Sequence, residues 1–348
     1  MTRATVVALA GILVAAGCST GTSRTPAAAS SSGSAGPSPS APSSSSSTTT
    51  TAATATATST ATSTASPTSA AERSTRPQPG EATLLAVGDI ARCDGRGDER
   101  TAAIAARLLK GSPSAPVLAM GDLAYPNGSA RDFAQCYRPS WGRFDGRMRP
   151  APGNHEYNTT GAKAYFDYFG KAAGPRGKGW YSFDYAGWHV VALNSNCAAV
   201  GCGPTSAQVR WLVADLAKHR SRCTLAYWHH PRFSSGPHGS SRDVTTLWAT
   251  LQKAGADVVL NGHDHDYERF APQTADGRAS ARGIREFVVG TGGAESYPFV
   301  SRLAHSQKQL TGVDAVLQLQ LTKTGYRWAL VGSAGAAKPL DTGSATCS

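Results

Sequence analysis

Two histidines stand one residue apart in the stretch GHDHD, residues 262–266, shortly after the apolar run ADVVL. If the strand predicted for that run continues through them, its two-residue period places His263 and His265 on one face and Asp264 on the other. Two close imidazoles on one face indicate a shared cation. The alternative is a polar strand end with two solvated histidines, and this motif alone leaves both interpretations open.

Four other short motifs place polar side chains directly after an apolar strand or a turn. Open α/β sheets bind ligands at the carboxyl ends of their strands, so we expect these side chains to gather along one edge. Such oxygen and nitrogen ligands suit two neighbouring metal ions that share a bridging carboxylate. The four motifs are GDIA with Asp89, GDLAY with Asp122 and Tyr125, GNHE with Asn154 and His155, and YWHHP with His229.

The elements that must position these motifs alternate between strand and helix from about residue 81 onward, which predicts an α/β fold. Thr205 and Gln208 have the spacing of a capping box at the start of one helix. The predicted helices are TAAIAARLLKG, TSAQVRWLVADLAKHR and VTTLWATLQKAGA. The predicted strands are ATLLAVGD, APVLAMGD, GWHVVALNS, CTLAYWHHP, ADVVLNGHDH and REFVVGTGG, and AVLQLQL and YRWALV form a final hairpin.

The five motifs in this order resemble the calcineurin-like metallophosphoesterases, over nearly everything after about residue 82. The resemblance implies a four-layer α/β/β/α sandwich with mixed sheets. One departure is informative, because the superfamily opens with D-x-H and Ala91 stands where that histidine would be. Tyr125, three residues after Asp122, supplies a replacement ligand and is similar to the G-D-x-x-Y block of purple acid phosphatases.

The resemblance to that branch implies two metal ions and assigns a ligand to each motif. It implies Fe(III) at the tyrosine site and Zn, Mn or Fe(II) at the second site. The implied ligands of the first ion are Asp89, Asp122, Tyr125 and His265, and those of the second are the bridging Asp122, Asn154, His229 and His263.

The resemblance also assigns residues around the metals. His155 and His238 match positions that contact the phosphate or protonate the leaving oxygen. In the H-x-P pattern His229 is the ligand and His230 takes the variable place beside it, while Glu156 orients its neighbours as an outer supporting group. Asp264, Asp266, Glu268 and Arg269 are interpreted as loop-shaping, and His189, His219 and His305 as structural or surface residues.

The predicted activity is hydrolysis of phosphomonoesters outside the cytoplasm by metal-activated hydroxide, with a phosphorylated small molecule as substrate. A phosphodiesterase acting on nucleotides or on lipid or wall phosphodiesters is the first alternative. A non-catalytic, surface-anchored binding protein is the second. A serine hydrolase is disfavoured because no G-x-S-x-G motif is present.

The N-terminal region carries the signals of export. Residues 1–18 combine Arg3 with an apolar stretch too short to span a membrane, and Ala15-Ala16-Gly17-Cys18 is similar to a lipobox. We therefore predict a bacterial surface lipoprotein anchored only through lipidated Cys18, with an ordinary secreted protein as the alternative. Residues 19–80 are a predicted disordered Ser/Thr/Pro/Ala-rich stalk, residues 81–340 the catalytic domain and residues 341–348 a C-terminal tail.

Six cysteines remain after Cys18, and an even number in an exported domain predicts disulfides, with 15 pairings open. The short loop CAAVGC favours a bond between Cys197 and Cys202. The other candidates are Cys93, Cys136, Cys223 and Cys347. A net charge of +11 suits anionic substrates or an anionic cell wall, and no nucleic-acid-binding module is recognisable. The oligomeric state, the substrate and the pH optimum stay open.

Overall fold

The computed structural model describes residues 75–333 and 338–348. The predicted signal segment, Cys18 and almost all of the predicted stalk lie outside the described residues. Across the described ranges, no helix has the length and apolarity that a bilayer crossing requires.

Two mixed sheets form the centre of the domain, as the sequence predicted. The first has the order β13-β12-β11-β1-β2-β3, and the second has the order β10-β8-β9-β7-β6-β5-β4. The strands are β1 (Ala82–Val87), β2 (Val117–Met120), β3 (Met148–Ala151), β4 (Tyr181–Tyr185), β5 (Trp188–Ala192), β6 (Cys223–Tyr227), β7 (Val258–Asn261), β8 (Tyr267–Phe270), β9 (Arg285–Val289), β10 (Ser306–Leu310), β11 (Ala315–Thr322), β12 (Gly325–Gly332) and β13 (Asp341–Thr346).

The helices lie in the connections between the strands. The α-helices are α1 (Gly97–Leu108), α2 (Ala130–Asp132), α3 (Arg138–Ser140), α4 (Lys163–Phe169), α5 (Cys197–Val200), α6 (Ala207–Lys218) and α7 (Thr245–Lys253). A π-helical turn occurs at Phe133–Tyr137. Short 3₁₀ helices occur at Gly142–Arg147, Glu156–Asn158, Thr160–Ala162 and Gly170–Ala173.

Alternation along β1 shows how the layers are built. Leu84 and Ala86 lie in the apolar core between the two sheets, whereas Leu85 and Val87 pack into a second core that α1 covers. A third core lies between the second sheet and helices α6 and α7. Because one apolar core lies between the two sheets and another between each sheet and its helices, the order of layers is helix, sheet, sheet, helix.

The parallel strands lie at one edge of the first sheet and in the centre of the second. Strands β1, β2 and β3 run parallel to one another, and so do β5, β6, β7 and β9. The remaining pairs are antiparallel. The carboxyl ends of the parallel strands therefore meet at the same end of each sheet, which is where the motifs lie.

Three details of the sequence analysis are wrong. Strand β7 ends at Asn261, so His263 and His265 lie on a loop and not on one face of a strand. Ser206, not Thr205, caps α6, and its hydroxyl accepts the backbone N–H of Val209.

The third correction concerns residues 341–348, which are not a separate tail. Asp341–Thr346 forms the edge strand β13 of the first sheet. The Asp341 carboxylate accepts from Arg269 at 2.7 Å and from Tyr267 at 2.7 Å. Small polar residues on an exposed edge carry no apolar alternation, so no strand was predicted for this segment.

Three disulfides lie within the described residues. Cys197 is bonded to Cys202, the pair that the short loop favoured. The other two bonds cross the fold and join Cys93 to Cys136 and Cys223 to Cys347. The last bond ties the end of β13 to the start of β6.

Candidate metal centre

Five of the predicted ligands each stand two or three residues after the carboxyl end of a strand. The strands are β1, β2, β3, β6 and β7. Strands β1 to β3 belong to one sheet and β6 and β7 to the other. The residues concerned are Asp89, Asp122, Asn154, His229 and His263. The ligands thus come from both sheets and meet where the two sheets face each other at one end of the sandwich.

Tyr125 lies at the centre of the first half of the site. Its hydroxyl is 3.1 Å from Asp89 Oδ1, 2.9 Å from His265 Nε2 and 3.4 Å from Asp122 Oδ2. His265 Nε2 is also 3.4 Å from Asp89 Oδ1. The structure therefore brings together all four residues predicted for the first ion, with oxygen and nitrogen atoms facing one another.

His229 lies at the centre of the second half. Its Nε2 is 3.0 Å from Asn154 Oδ1, 3.2 Å from Asp122 Oδ2 and 3.2 Å from His263 Nδ1. Asp122 contacts residues of both halves, as a bridging carboxylate must. The seven predicted ligands thus form two adjoining groups that share Asp122.

Backbone contacts fix which nitrogen faces the centre in two of the three predicted imidazole ligands. His229 Nδ1 lies 2.8 Å from the Met120 carbonyl, and His265 Nδ1 lies 2.5 Å from the Glu295 carbonyl. A carbonyl oxygen only accepts hydrogen bonds, so in the neutral imidazole each Nδ1 carries the hydrogen and each Nε2 presents a lone pair. This is the arrangement in which histidine binds metals.

Three of the ligand residues have left-handed backbone conformations. The φ angles are 60° at Asp89, 52° at Asp122 and 77° at His263. Such angles are uncommon for residues other than glycine and cluster at functional sites. At His263 the turn directs the backbone N–H to Asp89 Oδ2, at 2.9 Å. This turn, rather than strand alternation, is what lets His263 and His265 reach different halves of the site.

The electrostatics of the protein alone already select for positive charge. Burial lowers the pKa of His229, but the adjacent Asp122 outweighs burial and raises that pKa to about 9. Burial likewise raises the pKa of Asp122, and the opposing charge of His229 leaves it below its ordinary value. Burial, followed by the charges of Asp89 and Asp122, raises the pKa of Tyr125 well above its usual range. A cation would take the place of the protons held here.

Glu156 holds two ligand-bearing loops together. Its buried carboxylate accepts the backbone N–H groups of Asp122 and Leu123, both at 2.9 Å, and of Gly153 at 2.7 Å. Burial and the nearby Asp122 raise the pKa of Glu156 to about 7. A Cβ atom on Gly153 would lie 2.0 Å from Asp122 Oδ1, so only glycine allows this close approach. The structure thus gives Glu156 the supporting contacts that its predicted role requires.

Three further histidines surround the centre. His155 Nδ1 lies 2.5 Å from the Pro126 carbonyl, and its Nε2 is 3.8 Å from Asp122 Oδ2. The exposed ring of His238 lies 4.4 Å from the ring of His263. The ring of His230 also lies beside His263, with 4.5 Å between the two ring centroids. Burial, followed by the charge of His229, lowers the pKa of His230 to about 3.

Buried carboxylates organise residues 232–238, the loop that carries His238. Asp264 accepts the backbone N–H of His238 at 2.9 Å, and Glu268 accepts that of Ser235 at 2.8 Å. These contacts agree with the loop-shaping role predicted for both residues. Glu286, which the sequence analysis did not single out, accepts the backbone N–H of Arg232 at 2.8 Å.

Two other residues at the centre were missed. Tyr297 stacks on His265, with 4.1 Å between ring centroids and 10° between planes. Ser195 contacts His230 Nδ1 at 2.8 Å through its hydroxyl. Neither stands in a motif, and both reach the site from segments far away along the chain.

The donor set fits two hard or borderline cations. One ligand atom each from Asp89, Asp122 and His229 lies within 4.8 Å of the other two, and the same is true of His229, His230 and His263. Carboxylate, phenol, amide and imidazole donors are those that iron, zinc and manganese bind in proteins. The residues present therefore fit the dinuclear centre that the sequence predicted.

Comparison with known proteins identifies the class. Residues 82–267 match the family described as Calcineurin-like phosphoesterase, and the chain belongs to that family. Among its relatives are Arabidopsis thaliana purple acid phosphatases 15 and 21. The first is 30% identical over 200 residues, which cover 47% of this chain and 37% of the relative. The second is 31% identical over 198 residues, which cover 50% and 42%.

Solved structures show the same fold. The purple acid phosphatase PPD1 from yellow lupin (Lupinus luteus) seeds superposes with a TM-score of 0.63 at 18% identity, covering 78% of this chain and 54% of that chain. The chain spans less than half the length of the two curated Arabidopsis relatives.

Proposed function

We propose that this protein is a dinuclear-metal phosphoesterase of the purple acid phosphatase type that hydrolyses phosphomonoesters outside the cytoplasm. The observation that carries the proposal is the position of Asp122 between two groups of ligands, one of which contains Tyr125. A phenol beside a shared carboxylate is the feature that separates this site from the D-x-H form of the superfamily.

Each half of the site would hold one ion. Asp89, Tyr125 and His265 would hold the first, Asn154, His229 and His263 the second, and Asp122 both. When bound, the ions supply Lewis acidity that activates water and neutralises phosphate oxygens. The protein fixes the donors in advance through the Met120 and Glu295 carbonyls and through Glu156.

The histidines at the rim serve the phosphate and the leaving group. His155 is held through Nδ1 by the Pro126 carbonyl, so its Nε2 remains on the side of Asp122. His238 reaches the same space from the opposite loop, and Asp264 fixes its backbone. Such groups offset charge in the transition state or give a proton to the departing alkoxide.

Tyr125 favours a trivalent ion at the first half of the site. Its phenol contacts two carboxylates, so a strongly acidic cation is needed to displace the proton and bind the phenolate. We therefore assign Fe(III) there, and Zn, Mn or Fe(II) at the second half. We expect visible absorption from tyrosine-to-iron charge transfer, and Tyr125→Phe should abolish it without unfolding the protein. A Tyr125→Phe protein that stays coloured would rule out this assignment.

The choice between monoester and diester is tested directly with p-nitrophenyl phosphate and bis-p-nitrophenyl phosphate. We expect a higher kcat/KM on the monoester for protein that contains two ions by metal analysis. A higher kcat/KM on the diester would favour the phosphodiesterase alternative. Wild-type protein that folds, binds two ions and hydrolyses neither would favour a binding role.

Export is supported by the composition of the folded domain. Three disulfides lie within the described residues, and such bonds persist in oxidising compartments. Together with the lipobox-like end at Cys18, this supports a surface lipoprotein. Mass spectrometry of the mature N-terminus tests it: diacylglyceryl-modified Cys18 is expected, and Cys18→Ala should release the protein from the membrane fraction. Unmodified Cys18 in protein from the medium would support secretion instead.

A further inference from the structure

His230 stands in the variable place of the H-x-P motif, yet the structure places its ring against the metal centre. The ring centroid lies 4.5 Å from that of His263 and 4.9 Å from that of His229. One nitrogen of His230 lies within 4.8 Å of a ligand nitrogen on each of these residues. By distance alone, His230 is either a further ligand of the second ion or a donor to whatever the ions bind.

The partners of its Nδ1 atom decide between the two. Ser195 Oγ lies 2.8 Å from His230 Nδ1 and accepts the backbone N–H of His230 at 3.0 Å. The hydroxyl has one hydrogen, and within the described part of the chain its acceptor is that Nδ1. If Nδ1 donated instead, the hydrogen of this buried hydroxyl would have no acceptor, which is costly. Nδ1 of the neutral ring is therefore an acceptor, and Nε2 carries the hydrogen.

This is the reverse of the arrangement at the two predicted ligands whose Nδ1 meets a backbone carbonyl. His229 and His265 face carbonyl oxygens through Nδ1, and a carbonyl forces the hydrogen onto Nδ1 and leaves Nε2 free to bind a cation. The Ser195 hydroxyl can donate its one hydrogen to His230 Nδ1, and with that hydrogen bond the ring takes the opposite tautomer. An imidazole N–H beside two cations is a donor for an anion and not a ligand for a metal.

We propose that His230 is a phosphate-binding residue of this centre, which donates its Nε2–H to an oxygen of the bound phosphate group, and that Ser195 is the positioning residue that fixes its tautomer. The inference rests on the proposed phosphoesterase function. It adds a third imidazole to the phosphate site beside His155 and His238. His230 and His238 contact the same His263 ring, so both reach the space next to the second ion.

The first experiment separates a donor from a ligand. His230→Ala and His229→Ala are compared in metal-loaded protein for bound metal, by elemental analysis, and for the inhibition constant of inorganic phosphate. His230→Ala should keep two ions and weaken phosphate binding by roughly 10- to 100-fold, the loss expected for one hydrogen bond to a charged group. His229→Ala should lose metal. Metal loss in His230→Ala equal to that in His229→Ala, or unchanged phosphate inhibition, would overturn the inference.

The second experiment reads the tautomer itself. In metal-free protein labelled with ¹⁵N-histidine, long-range NMR correlations should show Nε2–H for His230 and Nδ1–H for His265. Ser195→Ala should weaken that preference and phosphate inhibition together, and Ser195→Thr, which keeps the hydroxyl, should restore both. A Nδ1–H form of His230 in the wild type would refute this inference alone. Wild-type protein that binds fewer than two ions would instead refute the proposed function.

Discussion

Two clusters within the described residues combine histidine with aspartate, and one of these two has the organisation of a metal site. The second consists of Asp184, His189, Asp215 and His219, on β4, β5 and the end of α6, and is called the β5 cluster below. Three of its ligand atoms, from Asp184, His189 and His219, lie within 4.8 Å of one another, as in the metal centre. Residue types and distances therefore do not distinguish the two.

The distribution of hydrogen-bond partners does distinguish them. The fully buried ring of His189 meets a carboxylate at each nitrogen, Asp184 at 2.9 Å and Asp215 at 2.8 Å. Its face stacks on His219 at 4.6 Å. No lone pair of His189 faces an open position, so the β5 cluster is closed. In the metal centre, carbonyl groups occupy Nδ1 of His229 and His265, and each Nε2 faces several atoms of the other predicted ligands.

The largest effect should come from the residue shared by both halves of the metal centre. Asp122→Ala removes the bridging carboxylate, so we expect loss of both ions and a fall in kcat/KM beyond the roughly 100-fold that loss of an outer supporting residue costs a metal site. Elemental analysis and p-nitrophenyl phosphate hydrolysis measure both. Asp184→Ala, in the β5 cluster, is the control and should keep both ions. If Asp184→Ala lost metal equally, the distinction between the clusters would fail.

Glu156→Gln tests whether backbone contacts, rather than the ligands alone, make the centre. A glutamine has one acceptor oxygen, so it cannot replace the carboxylate that receives the N–H groups of Asp122, Leu123 and Gly153. We expect metal affinity to fall by about 10- to 100-fold while all seven ligands remain. Titration with zinc into chelator-treated protein measures the change. Equal affinity in the two proteins would mean that the loops hold their positions without Glu156.

The sequence predicted the composition of the site better than its geometry. Polar residues after apolar strands indicated five residues at one edge of the fold, and the resemblance to purple acid phosphatases implied the full set of seven that the structure brings together. The prediction that strand alternation places His263 and His265 on one face was wrong, because the strand ends at Asn261. A left-handed turn at His263 depends on Asp89, which lies far away along the chain and accepts its N–H.

Residues outside the motifs carried no signal at all. Ser195 and Tyr297 act through contacts with His230 and His265 across the fold, and nothing in their local sequence indicates this. The same holds for the edge strand at Asp341–Thr346, whose pairing with β12 depends on long-range contacts. Local patterns predict elements and ligand types, whereas hydrogen-bond partners, which separate the two clusters, are set by tertiary structure.

Asp266 shows what happens to a carboxylate that has no partner. It is fully buried next to His265, and within the described residues neither of its oxygens accepts a hydrogen bond. Burial, followed by the charges of Asp264 and Glu268, raises its pKa to about 9. The folded protein thus binds a proton that the unfolded chain releases near pH 4, so this residue's contribution to stability is present below pH 4 and is lost as pH rises through 9.

Asp266→Asn removes that titration. In metal-free protein, whose pKa values no bound cation lowers, the variant should gain stability relative to the wild type as the pH rises from 4 to 8, by roughly 5 kcal/mol at about 1.4 kcal/mol per pH unit. Urea unfolding at the two pH values measures the difference. A difference that does not change with pH would mean that Asp266 does not titrate in this range.

The smallest effect is expected from a conservative change in the β5 cluster. Asp215→Asn keeps one oxygen for His189 Nε2 but loses the charge, and the other position, which accepts the Ser182 hydroxyl at 2.8 Å, becomes a donor. We expect a loss of about 1 kcal/mol of unfolding free energy with unchanged metal content and kcat/KM. Asp184→Asn should lower the unfolding free energy by less, because Asp184 is exposed and water replaces its contacts. If Asp215→Asn altered metal content, the β5 cluster would be coupled to the centre; if neither variant changed stability, its closed hydrogen bonds would contribute nothing measurable.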